Sequence, residues 1–244
     1  MLDYGLVIGD VGFVETVNEA KKKAKLIGKS VLVSVSTPVD EIDPLNVFCS
    51  MRKQDDAVLW SNEDQAFSII GIGNAVSISV DGLDPFDSIR VQYKECLRQA
   101  IIKRPSRKGV GPIFFGGFRY DPESKRDEIW EQFPDASFVL PRIGFVSIDR
   151  EQWLTINLLV SEDSDANLET GKILSELDKL EFNNISEKHQ IDSYVCQDDQ
   201  ESRWVETVNY ALEAIEKKYI NKVVLSRKKT FMAKKSFSPE IIIK

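Results

Sequence analysis

Histidine is almost absent from this sequence, with one residue, His189, in 244. That scarcity removes Ser-His-Asp and Cys-His catalysis and histidine-rich metal sites unless His189 itself serves. Its neighbours Glu187, Lys188 and Gln190 carry no apolar pattern that would bury it, so a surface loop histidine is expected there. Cysteine is also scarce. Cys49, Cys96 and Cys196 are odd in number and far apart, which excludes a disulfide framework or a zinc site and leaves ordinary reduced thiols. No apolar run approaches the roughly 18–20 residues that a membrane-spanning helix needs. The start, Met1-Leu2-Asp3-Tyr4, lacks a secretory signal, so a cytoplasmic protein without a membrane partner is expected. A phosphate-binding GxxxxGK[ST] segment is missing too.

What is present is a globular composition, 42% hydrophobic and 29% charged, which excludes disorder over most of the chain. The net charge of −7 argues against nucleic acid as a partner. The charge is unevenly spread. From Lys222 to Lys244 seven Lys or Arg face the single acid Glu240, a net +6, so residues 1–221 carry −13. Such a segment suits a nucleic-acid tail, a solvated strand edge or the lining of a site for a small anion.

Periodicity outlines the elements. Val14, Val17 and Ala24 define the apolar face of a first helix, opposite Lys21, Lys22, Lys23 and Lys25, and Gly28 closes it. Residues 30–36 alternate as a strand that Pro38 is expected to end. Further strands are expected at 57–60, 67–72 and 75–80, then a helix over 85–103 with Phe86, Ile89, Tyr93, Leu97 and Ile101 on one face. Cys96 shares that face, which reads as core rather than as a reactive thiol. A loop at 104–112 precedes strands at 113–120, 144–148 and 153–160. A helix opened by the acidic 161–165 places Leu168, Ile173, Leu174, Leu177 and Leu180 on one side. Residues 182–200 read as a polar connection. An amphipathic helix over 201–219, through Trp204, Val208, Leu212, Ile215 and Tyr219, leads directly into a β-branched strand at 221–227. Neighbouring strands with interspersed helices favour an α+β fold, a large mostly antiparallel sheet with flanking helices, over a doubly wound parallel sheet.

Three motifs compete for function. Gly71-Ile72-Gly73 follows a strand, yet another alternating strand comes next instead of a helix, so a hairpin turn is expected in place of a nucleotide loop. Gly116-Gly117 marks either a bent strand packed by aromatic neighbours or a close backbone approach to a ligand. Lys222 enters an apolar strand. Burial there would lower its pKa from about 10.4 and make it a general base, whereas a solvated strand-start lysine is the plainer reading.

The run WVETVNYALEAIEKKYINKVVLSR at 204–227, with GPIFFGGFRYDP, Trp130, Phe133-Pro134 and FVLPR, resembles the first half of the chorismate-utilising enzymes. The likeness is nearest to their menaquinone-specific isochorismate synthase branch, and AVLWSNEDQAFSIIGIGNAVSISV at 57–80 resembles the family's tryptophan-ending strand and Gly-x-Gly hairpin. The resemblance implies chorismate as substrate and Mg²⁺ as cofactor. It also implies Lys222 as the base that activates water for attack at C2, and a later glutamate that protonates the departing C4 hydroxyl. Ammonia-using relatives carry glutamine at the position of Lys222, so lysine implies water as nucleophile. A siderophore-pathway isochorismate synthase, a salicylate synthase and a non-catalytic remnant or binding module are the alternatives.

Ser238-Pro239-Glu240 reads as a helix start with only four residues after it. The expectation is that residues 1–244 are the N-terminal part of a single chorismate-binding domain, truncated at its C-terminus. The Mg²⁺ ligands and the general acid would then lie in the missing part, no metal ligand would lie in this chain, and the chain alone would be inactive.

Overall fold

The computed structural model describes residues 8–9, 12–40, 42–51, 57–62, 67–82, 84–103, 107–121, 123–126, 128–149, 151–180, 194–198, 201–234 and 237. His189 and the expected helix start at Ser238 lie outside the described residues. The chain divides into two compact units, Met1–Ile185 and Ser186–Lys244.

In the first unit, helix α1 (Phe13–Ile27) buries Phe13, Thr16, Val17, Ala20 and Ala24, the stripe that a 3.6-residue period brings to one face. Gly28, at φ 65°, ends it in the left-handed conformation, and its N–H reaches the Ala24 carbonyl. Strand β1 (Val31–Val39) follows. Pro38 does not end this strand, contrary to expectation; it pairs with Trp153. On its other flank β1 is paired only at Val33, Ser34 and Val35, so Pro38 sits where no N–H is required.

The large sheet has the order β2-β3-β8-β9-β1-β5, from β2 (Ala57–Ser61), β3 (Phe67–Ile72), β5 (Ile101–Lys103), β8 (Ile143–Ile148) and β9 (Glu151–Val160). It is antiparallel except for the β1–β5 pair. The fold is therefore α+β with a large mostly antiparallel sheet. Helices α1, α2 (Pro44–Met51) and α4 (Ala166–Leu177) contribute Val17, Val47 and Ile173 to one core with Val33, Ile70, Phe145 and Ile156 of the sheet. Asp165 caps α4, its carboxylate accepting from the N–H groups of Asn167 and Leu168. No described helix is long and apolar enough to cross a membrane.

The second sheet is β4-β7-β6, from β4 (Val76–Val80), β6 (Phe115–Phe118) and β7 (Ala136–Leu140). Helix α3 (Pro85–Arg98) packs Ile89 onto it, among Ile78, Ala136, Phe118 and Phe138. This helix stops at Arg98 rather than 103, because Ile101–Lys103 leaves to pair in parallel with β1. Cys96 is half-buried on α3, and burial pushes its thiol pKa up, which holds it in the unreactive protonated form.

The expected hairpin at Gly73 is not formed. Both flanks of β3 are taken, by β2 and β8, so β4 crosses into the second sheet and pairs with β7. Residues 67–80 and 136–148 thus form one bent antiparallel ribbon. Its corner lies between Ile72↔Ile143 and Val76↔Leu140. Gly73, at φ 64°, turns one limb. On the other limb, buried Asn157 donates from Nδ2 to the Pro141 carbonyl (2.8 Å), and its backbone N–H reaches the Arg142 carbonyl (2.8 Å), satisfying groups that the ladder leaves at the bend.

In the second unit, helix α5 (Glu201–Glu216) turns its Trp204, Val208 and Ala211 side inward, with Ala211 buried. It ends earlier than the expected 219, with Lys218 at φ 59° and the Tyr219 N–H on the Ala214 carbonyl. Strands β10 (Tyr194–Gln197) and β11 (Thr230–Ala233) form a two-stranded antiparallel sheet. The connection expected at 182–200 therefore contains a strand in its described part.

Candidate functional site

Lys222 lies in the second unit, exposed, in the stretch 222–229 that is neither helix nor strand. The strand expected at 221–227 is not formed. Strand β10 is four residues long and its ladder is used up by Thr230–Ala233, so the β-branched run at Val223-Val224 finds no ladder partner among the described residues. Val224 is 83% exposed. The stretch is tied at its far end: Arg227 Nε donates to Asp198 Oδ1 (3.0 Å), a second guanidinium nitrogen pairs with Oδ2 of the same carboxylate, and Lys229 Nζ lies 3.2 Å from it. This anchor leaves Lys222 unburied by the described residues of its unit.

A second constellation lies in the first unit; the sequence offered its glycines as a motif and its Trp130 and Phe133 as part of the family resemblance, without a sign that they meet at one cavity. A cavity of about 840 Å³ opens between the sheet corner, β6 and the connection from β6 to β7. Its wall includes Phe115, Phe118, Trp130 and Phe133, with Lys125 among the charged residues. The connection is held by Asp135, a buried carboxylate that accepts from the Gly82 N–H (2.9 Å), Arg126 Nη2 (2.8 Å) and Arg119 Nη1 (3.2 Å). Those hydrogen bonds, the Gly82 N–H first, hold the Asp135 carboxyl far below the ordinary range. Arg126 also pairs with Asp81 (2.7 Å), whose carboxylate accepts the Asp135 N–H (3.1 Å). Partners 9 to 54 residues apart in sequence give such a network no local signature.

The two adjacent glycines have different reasons to be there. A Cβ on Gly116 would stand 2.1 Å from the Ser137 carbonyl oxygen and 2.6 Å from the Phe138 ring, so β6 pairs with β7 only because that atom is missing. A Cβ on Gly117 would meet nothing within 4 Å. Gly116→Ala is therefore expected to cost about 1–3 kcal/mol by overpacking. Gly117→Ala is expected to be neutral or to stabilise by up to about 1 kcal/mol. Urea midpoints at constant m-value measure both, and equal effects would contradict this division of roles.

Among the described residues no group of three or more His, Cys, Asp or Glu comes together to hold a metal ion. The magnesium that the resemblance implies has no donor set here, and Asp135 is already committed to its arginines.

A model of the family described as chorismate binding enzyme matches residues 16–244. Isochorismate synthase MenF of Bacillus subtilis (strain 168) is 25% identical over 225 residues, which are 88% of this chain and 47% of that protein. The salicylate biosynthesis isochorismate synthase of Pseudomonas aeruginosa is 31% identical over 129 residues, 52% of this chain and 26% of that protein. The solved structure of MenF from Escherichia coli, a menaquinone-specific isochorismate synthase, aligns at 13% identity with a TM-score of 0.43, over 82% of this chain and 42% of that one. The chain spans less than half the length of each of these proteins. With nearly all of its length matched by the family model, the chain belongs to the chorismate-binding enzyme family.

Proposed function

We propose that these residues are part of an isochorismate synthase that interconverts chorismate and isochorismate by adding water at C2 with loss of the C4 hydroxyl, for menaquinone synthesis. The observation that carries this reading is the family match over 16–244, which includes Lys222 in the segment that resembles the family's base-bearing strand. In the proposed reaction the Lys222 amine, in its neutral form, takes a proton from water as the oxygen bonds to C2. The double bond shifts, the C4 oxygen leaves, and an acid that these residues do not identify protonates it. Lys222 is the one role in this reaction that we assign to a described residue; neither the acid nor a ligand set for the magnesium that the resemblance implies is found among them.

Lys222 is exposed among the described residues of its unit. Water rather than ammonia as nucleophile is tested by chromatographic analysis of products from chorismate, with and without ammonium, using an active protein that contains these residues. Isochorismate alone is expected under both conditions. An aminated product would overturn the reading of Lys222, and salicylate with pyruvate would move the activity to a salicylate synthase.

A further inference from the structure

The cavity of the first unit has no part in the proposed chemistry of Lys222, yet it has the features of a small-molecule site. Its volume, about 840 Å³, falls within the roughly 300–1,000 Å³ typical of ligand pockets. The walls are aromatic. Phe118 is fixed by stacking on Phe86 (ring centroids 4.0 Å) and by an edge contact with Phe138 (5.1 Å), so it is a preformed surface. Trp130 and Phe133 contact each other at 5.4 Å and remain 59% and 57% exposed, a large apolar area that a planar ring would remove from water.

Among the described lining residues the cations are Arg119, Lys125 and Arg126 and the acid is Asp121, whose Oδ1 already accepts the N–H groups of Glu123 and Ser124. Both arginines are occupied by Asp135, whereas Lys125 has no ion-pair partner among the described residues.

Gly117 supplies an independent argument. It lines the cavity, lies in a strand, has no positive φ and has open space where a side chain would be. Glycine there weakens the strand without any steric need. What its missing side chain does preserve is the cavity.

We propose that this cavity binds a planar aromatic carboxylate, its ring among Phe115, Phe118, Trp130 and Phe133 and its carboxylate on the Lys125 ammonium. The proposal stands whether or not Lys222 is the base. The test is isothermal titration calorimetry of the 244-residue chain with 2-naphthoate and with its neutral amide, 2-naphthamide, at one fixed salt concentration. Saturable one-to-one binding of 2-naphthoate is expected, with 2-naphthamide about tenfold weaker because the charge-assisted contact is lost. Lys125→Ala should lower naphthoate affinity by a similar factor and leave naphthamide unchanged. Gly117→Phe should abolish binding of both compounds while the melting temperature is kept or raised. No saturable heat, equal affinity for acid and amide, or unchanged binding by a folded Gly117→Phe protein would each overturn the proposal. Should Gly117→Phe fail to fold, Lys125→Ala at an exposed position still decides the matter.

Discussion

Lys222→Ala, in an active protein that contains these residues, is expected to lower kcat for isochorismate formation by about 10²–10⁴-fold, the range that a positioned general base contributes. Chorismate binding should be largely retained, so the loss falls on kcat rather than on KM. Water is a poor nucleophile without a group to take its proton, and the only histidine in the sequence, His189, lies in a polar run with no pattern to position it. A lysine can act in its place once it is desolvated. Lys222→Arg should be as poor as alanine, because guanidinium stays protonated at any pH where the enzyme is folded. Unchanged kcat in either variant, measured at saturating chorismate, would reject Lys222 as the base. The basic segment around it then changes meaning. Arg227 and Lys229 are engaged with Asp198, so two of the seven basic residues from 222 onward serve to anchor the stretch that carries Lys222.

The second large effect concerns stability. Phe145→Ala is expected to destabilise the chain by about 3–5 kcal/mol, a large share of the roughly 5–15 kcal/mol that holds a typical domain together. Phe145 is 1% exposed, sits on a central strand opposite Ile70 on β3 and Leu154 on β9, and belongs to the core shared with α1 and α4. Truncation would leave a void between strands paired on both sides, where neither neighbour can close in. Leu159, 45% exposed on β9, is the internal control. Its truncation to alanine should cost far less, on the order of 0.5–1 kcal/mol. Urea unfolding monitored by circular dichroism measures both. A Phe145→Ala cost within about 1 kcal/mol of the Leu159→Ala cost would mean that the large sheet does not carry the core described here.

Which parts of this architecture could be read from the sequence follows from how local their causes are. Helix α1 was legible because its buried stripe and its closing Gly28 are properties of adjacent turns. The β8–β9 pair was legible for the same reason, as two alternating runs joined by a short turn. The sheet corner was not. Gly73 looks like any hairpin glycine, and only the occupation of both flanks of β3 by β2 and β8 sends β4 elsewhere. Ile101 fits the period of α3, yet three residues of pairing with β1 end the helix first. Val223 and Val224 have high strand propensity, and propensity cannot create a partner that β10 is too short to be. In the candidate sites, the chemical type of Lys222 was legible and so was its exposure, as the plainer reading of a strand-start lysine; that no strand forms around it was not. Gly116-Gly117 stood out as an anomaly whose two halves have separate causes. The Asp135 network, assembled from Asp81, Gly82, Arg119 and Arg126, leaves no spacing to detect.

The central claim is the proposal that Lys222 is the water-activating lysine of a chorismate enzyme, with no carboxylate cluster to hold a metal ion beside it among the described residues. Its most direct test is a coupled isochorismate assay of the purified chain with chorismate and Mg²⁺. No turnover above the uncatalysed background is expected, because Lys222 is exposed and no carboxylate cluster is assembled among the described residues. Isochorismate formation by residues 1–244 alone, abolished by chelation of Mg²⁺, would contradict the claim.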